Sequence, residues 1–217
     1  MSAYFILMPG TWDSADRHLC RPLIGSRETR DTQTPWVTVA TGVTDGQYDL
    51  IARTGPSPEA ARQQIAEAQR HLELQPVTWQ VTEKRGLLLK KPWIVRAMIT
   101  SMRKVPTLGP MDDLSSELLL HSAALTEASR VVNSRELVVI VPKRGWLLAG
   151  AGGAADWPAR KYMLDAATGV FGRATAQQGI SPYVFHWQNG QVTGYEATEG
   201  QGGYLSLQQA QESEWLI

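Results

Sequence analysis

The sequence is poor in cysteine, histidine and long apolar runs, and each shortage excludes a class of protein. Its single cysteine, Cys20, excludes an internal disulfide, and its four histidines lie too far apart to give the ligand spacing of a zinc site. The longest apolar runs, such as residues 137–141, are much shorter than the roughly 20 residues that cross a bilayer. The sequence therefore predicts a protein with no disulfide, no metal site, no cofactor and no membrane span.

The N-terminal apolar stretch is not typical of a signal peptide. No basic residue precedes residues 4–8, and Pro9 and Gly10 end the stretch early. The composition is that of a globular chain, because 43% of the 217 residues are hydrophobic and 21 basic residues balance 21 acidic ones. We therefore expect a cytoplasmic protein with one large core or two smaller units.

Basic and acidic residues are segregated along the chain although the formal net charge is zero. From Lys84 to Met111 there are seven basic residues and no acidic one, whereas from Ala174 onward there are four glutamates and no lysine or arginine. Since opposite charges attract, we expect the basic stretch to face the acidic C-terminal region within the fold or in a homodimer.

Hydrophobic periodicity and turn residues predict an α+β fold made mainly of antiparallel β-hairpins packed with helices. Alternating apolar residues indicate strands, Asp-Gly and Asn-Gly pairs indicate tight turns, and Ser-Pro before helical spacing indicates a helix start. In the first half these signals predict a hairpin of 36–40 with 48–52, a helix over 57–73, a hairpin of 77–81 with 87–89 and a helix beginning near Pro92.

The second half follows a similar order of elements. The order suggests two tandem ββαββα units, residues 1–111 and 112–217, packed as one compact body because a helical connection joins them. The elements predicted after residue 112 are a helix over 113–133, a hairpin of 137–141 with 146–149, a helix from Asp156 to about Gly179, a hairpin of 183–187 with 192–195 and a short helix over 207–215.

The second unit also has recognisable motifs. A long helix leads into an apolar strand that ends in Val141 and Pro142, and a Gly-Ile-Ser-Pro segment at 179–182 precedes an aromatic hairpin. Over residues 112–197 this order resembles the YtpQ-like family, bacterial proteins built around a domain of unknown function, although the basic residues at 143–144 depart from it. The resemblance implies no catalytic residue. The alternation of helices and hairpins is similar to that of small chaperones that escort secreted proteins in bacteria.

No enzyme motif emerges from the sequence. Residues 150–155 formally fit the glycine-rich phosphate loop, but they follow a hairpin strand, and Asp156 places a negative charge where a phosphate would lie. His121 lies on an apolar helical stripe, which is typical of a core histidine, and His186 alternates with aromatic residues on a hairpin face. We therefore leave the catalytic residues unassigned.

The candidate binding surface is basic and aromatic. Cations interleaved with aromatic and apolar side chains can engage a polypeptide, a nucleic acid or an anionic lipid surface. Three of the eight tryptophans, Trp12, Trp93 and Trp157, lie outside clear apolar periodicity and are candidates for recognition. The candidate binding residues are Lys90, Lys91, Trp93, Arg96, Arg103, Lys104, Lys143 and Arg144.

Three functional hypotheses follow from these observations. The first is a non-catalytic module that binds another polypeptide, or a second copy of itself, in the manner of a chaperone or adaptor. The alternative is an enzyme whose site is assembled from distant residues near Lys143, Arg144 and His186, with His186 close to a carboxylate in a polar pocket. The third is a phosphate or nucleic-acid binder that uses the basic 84–104 stretch.

Overall fold

The computed structural model describes residues 2–44, 47–85, 90–99, 114–153, 157–176, 178–197, 202–204 and 215. Two antiparallel sheets and their packed helices form an α+β fold, which confirms the predicted fold class. No helix in these ranges has the length and apolar character that a membrane crossing requires.

The smaller sheet is built on β3, which pairs with every other strand of that sheet. One edge of β3 pairs with β1, and the other pairs with β2 and β4 at different positions along its length. The predicted hairpin of 36–40 with 48–52 is confirmed as β3 and β4, and its turn residues Asp45 and Gly46 lie outside the described residues. The strands are β1 (Ala3–Met8), β2 (Cys20–Pro22), β3 (Trp36–Thr44) and β4 (Gln47–Leu50).

Helix α1 (Pro58–Glu73) confirms the helix predicted over 57–73. The Ser57 side chain accepts a hydrogen bond from the Ala60 amide at 3.2 Å, and Pro58 occupies the first helical position, where its missing amide costs nothing. Ala61, Ala68 and Leu72 are buried, and the helix packs against β1. The capping residues and the buried apolar face of α1 therefore both match the helix predicted from the sequence.

The larger sheet has seven strands in the order β11-β10-β9-β7-β8-β6-β5. Strand β6 pairs with β8 through Ile94 to Arg96, so the sheet crosses the expected division between residues 111 and 112. The strands are β5 (Val77–Arg85), β6 (Lys90–Ile99), β7 (Glu136–Ile140), β8 (Leu148–Ala151), β9 (Val184–Gln188), β10 (Gln191–Glu196) and β11 (Gly202–Tyr204).

The helix predicted to begin near Pro92 is wrong, because this segment forms β6. Ile94 and Val95 are 4% and 0% exposed and are enclosed between β5 and β8, where β-branched residues pack well. Pro92 lies where the register of β5 and β6 shifts, a position at which a strand tolerates a missing amide. The return strand predicted over 87–89 lies outside the described residues.

The long helix predicted over 113–133 is interrupted at His121. A 3₁₀ helix spans Leu114–Leu120, and α2 follows over Ser122–Val131. His121 is buried, as predicted for a core histidine, and its Nδ1 accepts a hydrogen bond from the Ala124 amide at 3.3 Å. The histidine therefore caps α2 and ends the helical continuity that the apolar stripe predicted.

The remaining elements follow their predicted order. Helix α3 (Trp157–Phe171) ends before the predicted stop at Gly179, and Asp156 lies outside the described residues. The hairpin of β9 and β10 is confirmed, and Asn189 and Gly190 both have positive φ angles, 53° and 90°, as a type I′ turn requires. The helix predicted over 207–215 lies outside the described residues except for Trp215.

One hydrophobic core joins the two sheets. It contains Phe5 and Val39 from the smaller sheet and Val139 and Phe185 from the larger one, together with buried residues of α1 and α2. A second cluster lies on the opposite face of the larger sheet, beneath α3. The described parts of both halves therefore pack as one body around shared apolar surface.

Candidate functional site

A cleft with a volume of about 430 Å³ opens where the C-terminal end of β1 meets three distant segments. The segment after β1 forms one side, and Tyr48 of β4 and Ala176 after α3 contribute to its boundary. Arg144, from the turn between β7 and β8, is the cation in the described lining. The residues contributed by β1 and its following loop are Met8, Pro9, Thr11, Trp12 and Asp13.

The backbone around Arg144 is held on two sides. The Arg144 amide donates to the Gln178 carbonyl at 2.9 Å, and Lys143 forms an isolated bridge with Gly179. Gly145 has a φ of 72°, a left-handed conformation that glycine adopts without strain, and its amide donates to Ser116 Oγ at 3.4 Å. The turn therefore fixes the position from which the Arg144 side chain leaves the backbone.

The Arg144 side chain is 8% exposed, which is rare for an arginine. Its Nη2 donates to Met8 Sδ at 3.7 Å, and its guanidinium carbon lies 5.3 Å from the centroid of the Tyr48 ring. Nη1 has no hydrogen-bond partner in the described part of the chain. This nitrogen has almost no solvent-accessible surface, so a ligand in the cleft cannot reach it unless the side chain moves.

Glu117 is buried beside Arg144 and is 1% exposed. Its Oε1 accepts from the Leu7 amide at 3.0 Å and its Oε2 accepts from Ser116 Oγ at 2.6 Å. Arg144 Nη1 is 4.0 Å from Oε1, which is an ion-pair distance but too long for a hydrogen bond. Burial raises the pKa of Glu117, and the nearby Arg144 opposes this shift.

Two aromatic side chains add apolar surface to the cleft. Burial raises the pKa of Tyr48, while Arg144 acts in the opposite direction, so the phenol stays protonated at neutral pH. Trp12 stacks on His18 with 5.1 Å between the ring centroids. Asp13 is exposed at the rim and accepts a hydrogen bond from Ser14 Oγ at 3.0 Å. The cleft thus combines one buried cation with aromatic walls and an acidic rim.

The structure brings two other predicted binding residues together on Trp146. The Arg96 guanidinium carbon lies 4.6 Å from the centroid of the Trp146 ring, and Lys143 Nζ lies 5.0 Å from it. Trp93 packs against Tyr162 of α3, with 5.1 Å between centroids. Both arrangements are separate from the cleft lining.

The other predicted binding residues have no described side-chain environment. Lys90 and Lys91 lie in β6, where only the backbone is described, and Arg103 and Lys104 lie outside the described residues. Of the three candidate tryptophans, Trp12 lines the cleft, whereas the side chain of Trp157 is outside the described part.

The described strands of the basic and acidic stretches lie at opposite edges of the larger sheet. Strands β5 and β6 form one edge of the seven-stranded sheet, and β10 and β11 form the other. Glu196 instead pairs with Arg160 of α3, with 2.7 Å between Oε2 and Nε. Of the charged residues in the two stretches, only Arg96 and Glu196 have described side chains, so the expected pairing, within the fold or in a homodimer, stays a prediction.

His186 approaches a carboxylate, as the enzyme hypothesis expected. The carboxylate is that of Glu196, and Arg160 also acts on the histidine. Its Nε2 is 3.8 Å from Glu196 Oε2, and burial and Arg160 lower its pKa. Lys143 and Arg144 have other described partners, Trp146 and Glu117. The strand neighbours of His186 belong to the core between the sheets, so His186 faces α3 instead.

Cys20 is not among the described lining residues, but it is buried in a cluster against which two of them, Met8 and Trp12, pack. Its thiol donates to the Ala15 carbonyl at 3.1 Å, and burial raises its pKa to about 11. Since the thiolate is the nucleophile, this thiol is inert at neutral pH. Among the described residues, no three His, Cys, Asp or Glu side chains form a group able to hold a metal ion.

Sequence analysis identified Arg144 and Trp12 but missed Tyr48 and Glu117. The one local signal at Glu117 is its place directly before three consecutive leucines, and since glutamate is rarely buried, this pattern alone does not predict its burial. Tyr48 lies in a hairpin strand with no local feature that separates it from a packing residue. Its role follows only from its contact with Arg144.

No protein family model, curated protein or solved structure matches this chain. The resemblance of residues 112–197 to the YtpQ-like family therefore stays a prediction.

Proposed function

We propose that this chain is a non-catalytic binding protein that engages another polypeptide and holds an anionic group of that partner against Arg144. The proposal rests on the position and burial of the Arg144 side chain. It is the one cation in the described lining of the cleft, and only 8% of the side chain is exposed. A carboxylate of the partner would pair with the part of the guanidinium group that faces the cleft.

Electrostatics favour binding at this position. Burial raises the pKa of the Glu117 carboxyl group and so favours its neutral form, which leaves the charge of Arg144 available to a partner's carboxylate. A hydrogen bond to a charged group contributes about 1.5–3 kcal/mol when it is shielded from water. Arg144 is therefore suited to anchor a partner.

The apolar walls support a polypeptide ligand. Trp12, Tyr48 and Met8 lie around Arg144, and buried aromatic and arginine side chains are the types that dominate binding energy at protein interfaces. Such a combination suits a ligand that carries both an anionic and an apolar group, as a peptide does.

The chemistry of the cleft supports binding over catalysis. Its described lining contains no histidine, cysteine or lysine, and the Tyr48 phenol has a raised pKa, which opposes a role as a general base at neutral pH. His186 and Cys20, the candidates for proton transfer or nucleophilic attack, are not among the described lining residues.

The test is a selection of short random peptides on immobilised protein. We expect wild type to retain peptides that carry a carboxylate and Arg144→Met to lose them, because the variant keeps an apolar side chain but no cation. The matched control is Arg62→Met, which removes an exposed arginine of α1. Retention of the same peptides by folded Arg144→Met, or selection of uncharged peptides by wild type, would contradict the proposal.

A further inference from the structure

We infer that β5 pairs antiparallel with β5 of a second copy of this chain, so that the larger sheet continues across a homodimer. Strand β5 (Val77–Arg85) is the last strand of the seven-stranded sheet, and β6 is its one strand partner in the described part of the chain. The outward-facing backbone amides and carbonyls of such an edge strand are a template for another strand. This pairing does not depend on the proposed binding at Arg144.

The other edge strands of the two sheets are short or covered. Strands β2, β4 and β11 span three, four and three residues. Strand β1 has six residues, and His71 Nδ1 donates to its Ala3 carbonyl at 2.6 Å. Glu117 Oε1 accepts from the Leu7 amide of the same strand at 3.0 Å. Short or covered edges resist pairing with another chain, whereas β5 is the longest of these strands at nine residues.

The first part of β5 is exposed and has no feature that blocks pairing. Thr78, Gln80, Val81 and Thr82 are exposed, and the exposed fraction of the apolar Val81 side chain is 42%. Residues 77–82 contain no proline and no charged residue, and their register with β6 is regular. Prolines, lysines and bulges are the features by which natural edge strands avoid pairing. This segment is therefore suited to receive a strand.

The side chains of β5 favour a second copy in a register centred on Trp79. Residues directly opposite each other in antiparallel strands point to the same face, so this register places Val77 opposite the partner's Val81 and Trp79 opposite the partner's Trp79. Val77 and Trp79 pack against the core, and Val81 lies on the same side because side chains alternate along a strand. The pairing thus covers the exposed Val81 with apolar side chains.

Charge favours the same register. The paired region is residues 77–81 of both copies, which carries no charge. A register centred on Glu83 would instead place two glutamates opposite each other, and one centred on Val81 would place Glu83 opposite the partner's Trp79. Because the paired region is short, we expect a weak and reversible dimer.

Sedimentation velocity of the full chain over a range of protein concentrations tests the dimer. We expect Val81→Lys to raise the dissociation constant of the dimer at least about ten-fold, because pairing would bury the lysine charge. Tyr162→Lys is the matched control, since it replaces a side chain of α3 that is 46% exposed, and it should leave the dissociation constant unchanged. Circular dichroism checks that both variants fold. A wild-type chain that stays monomeric at about 100 µM, or a dimer that folded Val81→Lys does not weaken, would overturn the inference.

Disulfide cross-linking tests the register in a chain that keeps Val81. In the double variant Thr78→Cys/Gln80→Cys, each new cysteine lies opposite a new cysteine of the partner, at the Cα separation of about 4.4–6.8 Å that a disulfide needs. Each single variant places its cysteine opposite an unchanged residue, and Cys20 is buried. We expect mild oxidation to give a covalent dimer of the double variant and much less of either single variant. Equal cross-linking of all three, or none of the double variant, would overturn this register and with it the inference.

Discussion

At the scale of single residues, Glu117 and Arg144 are the charged pair around which the cleft is built. Both side chains are buried, yet their closest atoms are 4.0 Å apart, and the hydrogen bonds of Glu117 go to Leu7 and Ser116. The pair therefore ties β1 to the 3₁₀ helix while leaving part of Arg144 without an acceptor. Removal of water from a carboxylate is costly, which explains the raised pKa of Glu117.

The raised pKa of Glu117 predicts a pH-dependent contribution to stability. A carboxyl group whose folded-state pKa lies above its ordinary value of 4.5 stabilises the fold fully below that value and loses this contribution as pH rises through the folded-state pKa. We expect the free energy of unfolding of Glu117→Gln, measured relative to wild type, to rise as the pH increases above 4.5.

Urea denaturation at each pH measures this difference. Glu127→Gln, which removes an exposed carboxyl group of α2, is the matched control. A difference between Glu117→Gln and wild type that stays constant with pH, or falls as pH rises, would show that Glu117 does not titrate as its burial requires.

At the scale of elements, the close approach of neighbouring strands limits which residue a position accepts more strongly than local conformational propensity does. Gly152 follows β8 and donates its amide to the Glu136 carbonyl at 2.8 Å, at the start of β7. A Cβ atom at Gly152 would lie 2.9 Å from the backbone carbon of Leu137, closer than real Cβ contacts. The glycine-rich sequence after β8 therefore serves the packing of two strands.

This contact predicts that Gly152→Ala destabilises the protein by about 1–3 kcal/mol, the usual cost of overpacking a tight site. Gly55→Ala is the control, because a Cβ there would meet its nearest atom at 3.8 Å, an ordinary contact. That variant should change the free energy of unfolding by no more than about 0.5 kcal/mol. Urea denaturation measures the free energy of unfolding of both variants. Equal free energies for Gly152→Ala and Gly55→Ala would refute the role given to Gly152.

At the scale of the whole molecule, β5 and β6 extend a sheet whose other strands come from the second half of the chain. The core continues from this sheet to the smaller one, since Phe5, Val95 and Phe185 belong to one cluster. The two sequence halves thus share a sheet and a core, and each contributes to the cleft, because Tyr48 and Arg144 come from opposite halves.

We therefore expect the two halves to unfold together. Unfolding in urea, followed by tryptophan fluorescence and by far-ultraviolet circular dichroism, should give coincident transitions, because separation of the halves would expose the shared core. The eight tryptophans are distributed over both halves, so fluorescence reports on the whole chain. Two resolved transitions would mean that the halves are independent folding units.

The sequence alone determined the elements whose signals are local. Helix α1 follows from Ser57 and Pro58 together with its apolar spacing, and the hairpin of β9 and β10 follows from Asn189 and Gly190. In both cases the residues that specify the conformation are neighbours in sequence. Arg144 was likewise a binding candidate from the sequence, as a basic residue at the turn of a hairpin.

Only the tertiary structure decided those features that depend on residues far apart in the sequence, namely the conformation of residues 92–99 and the assembly of the cleft. Residues 92–99 combine apolar spacing suited to a helix with β-branched residues suited to a strand, and pairing with β5 and β8 selects the strand. The same holds for the cleft, where Trp12, Tyr48, Glu117 and Arg144 are brought together from four elements or loops. Local periodicity does not encode such distances, because they arise only when the two sheets pack on one core.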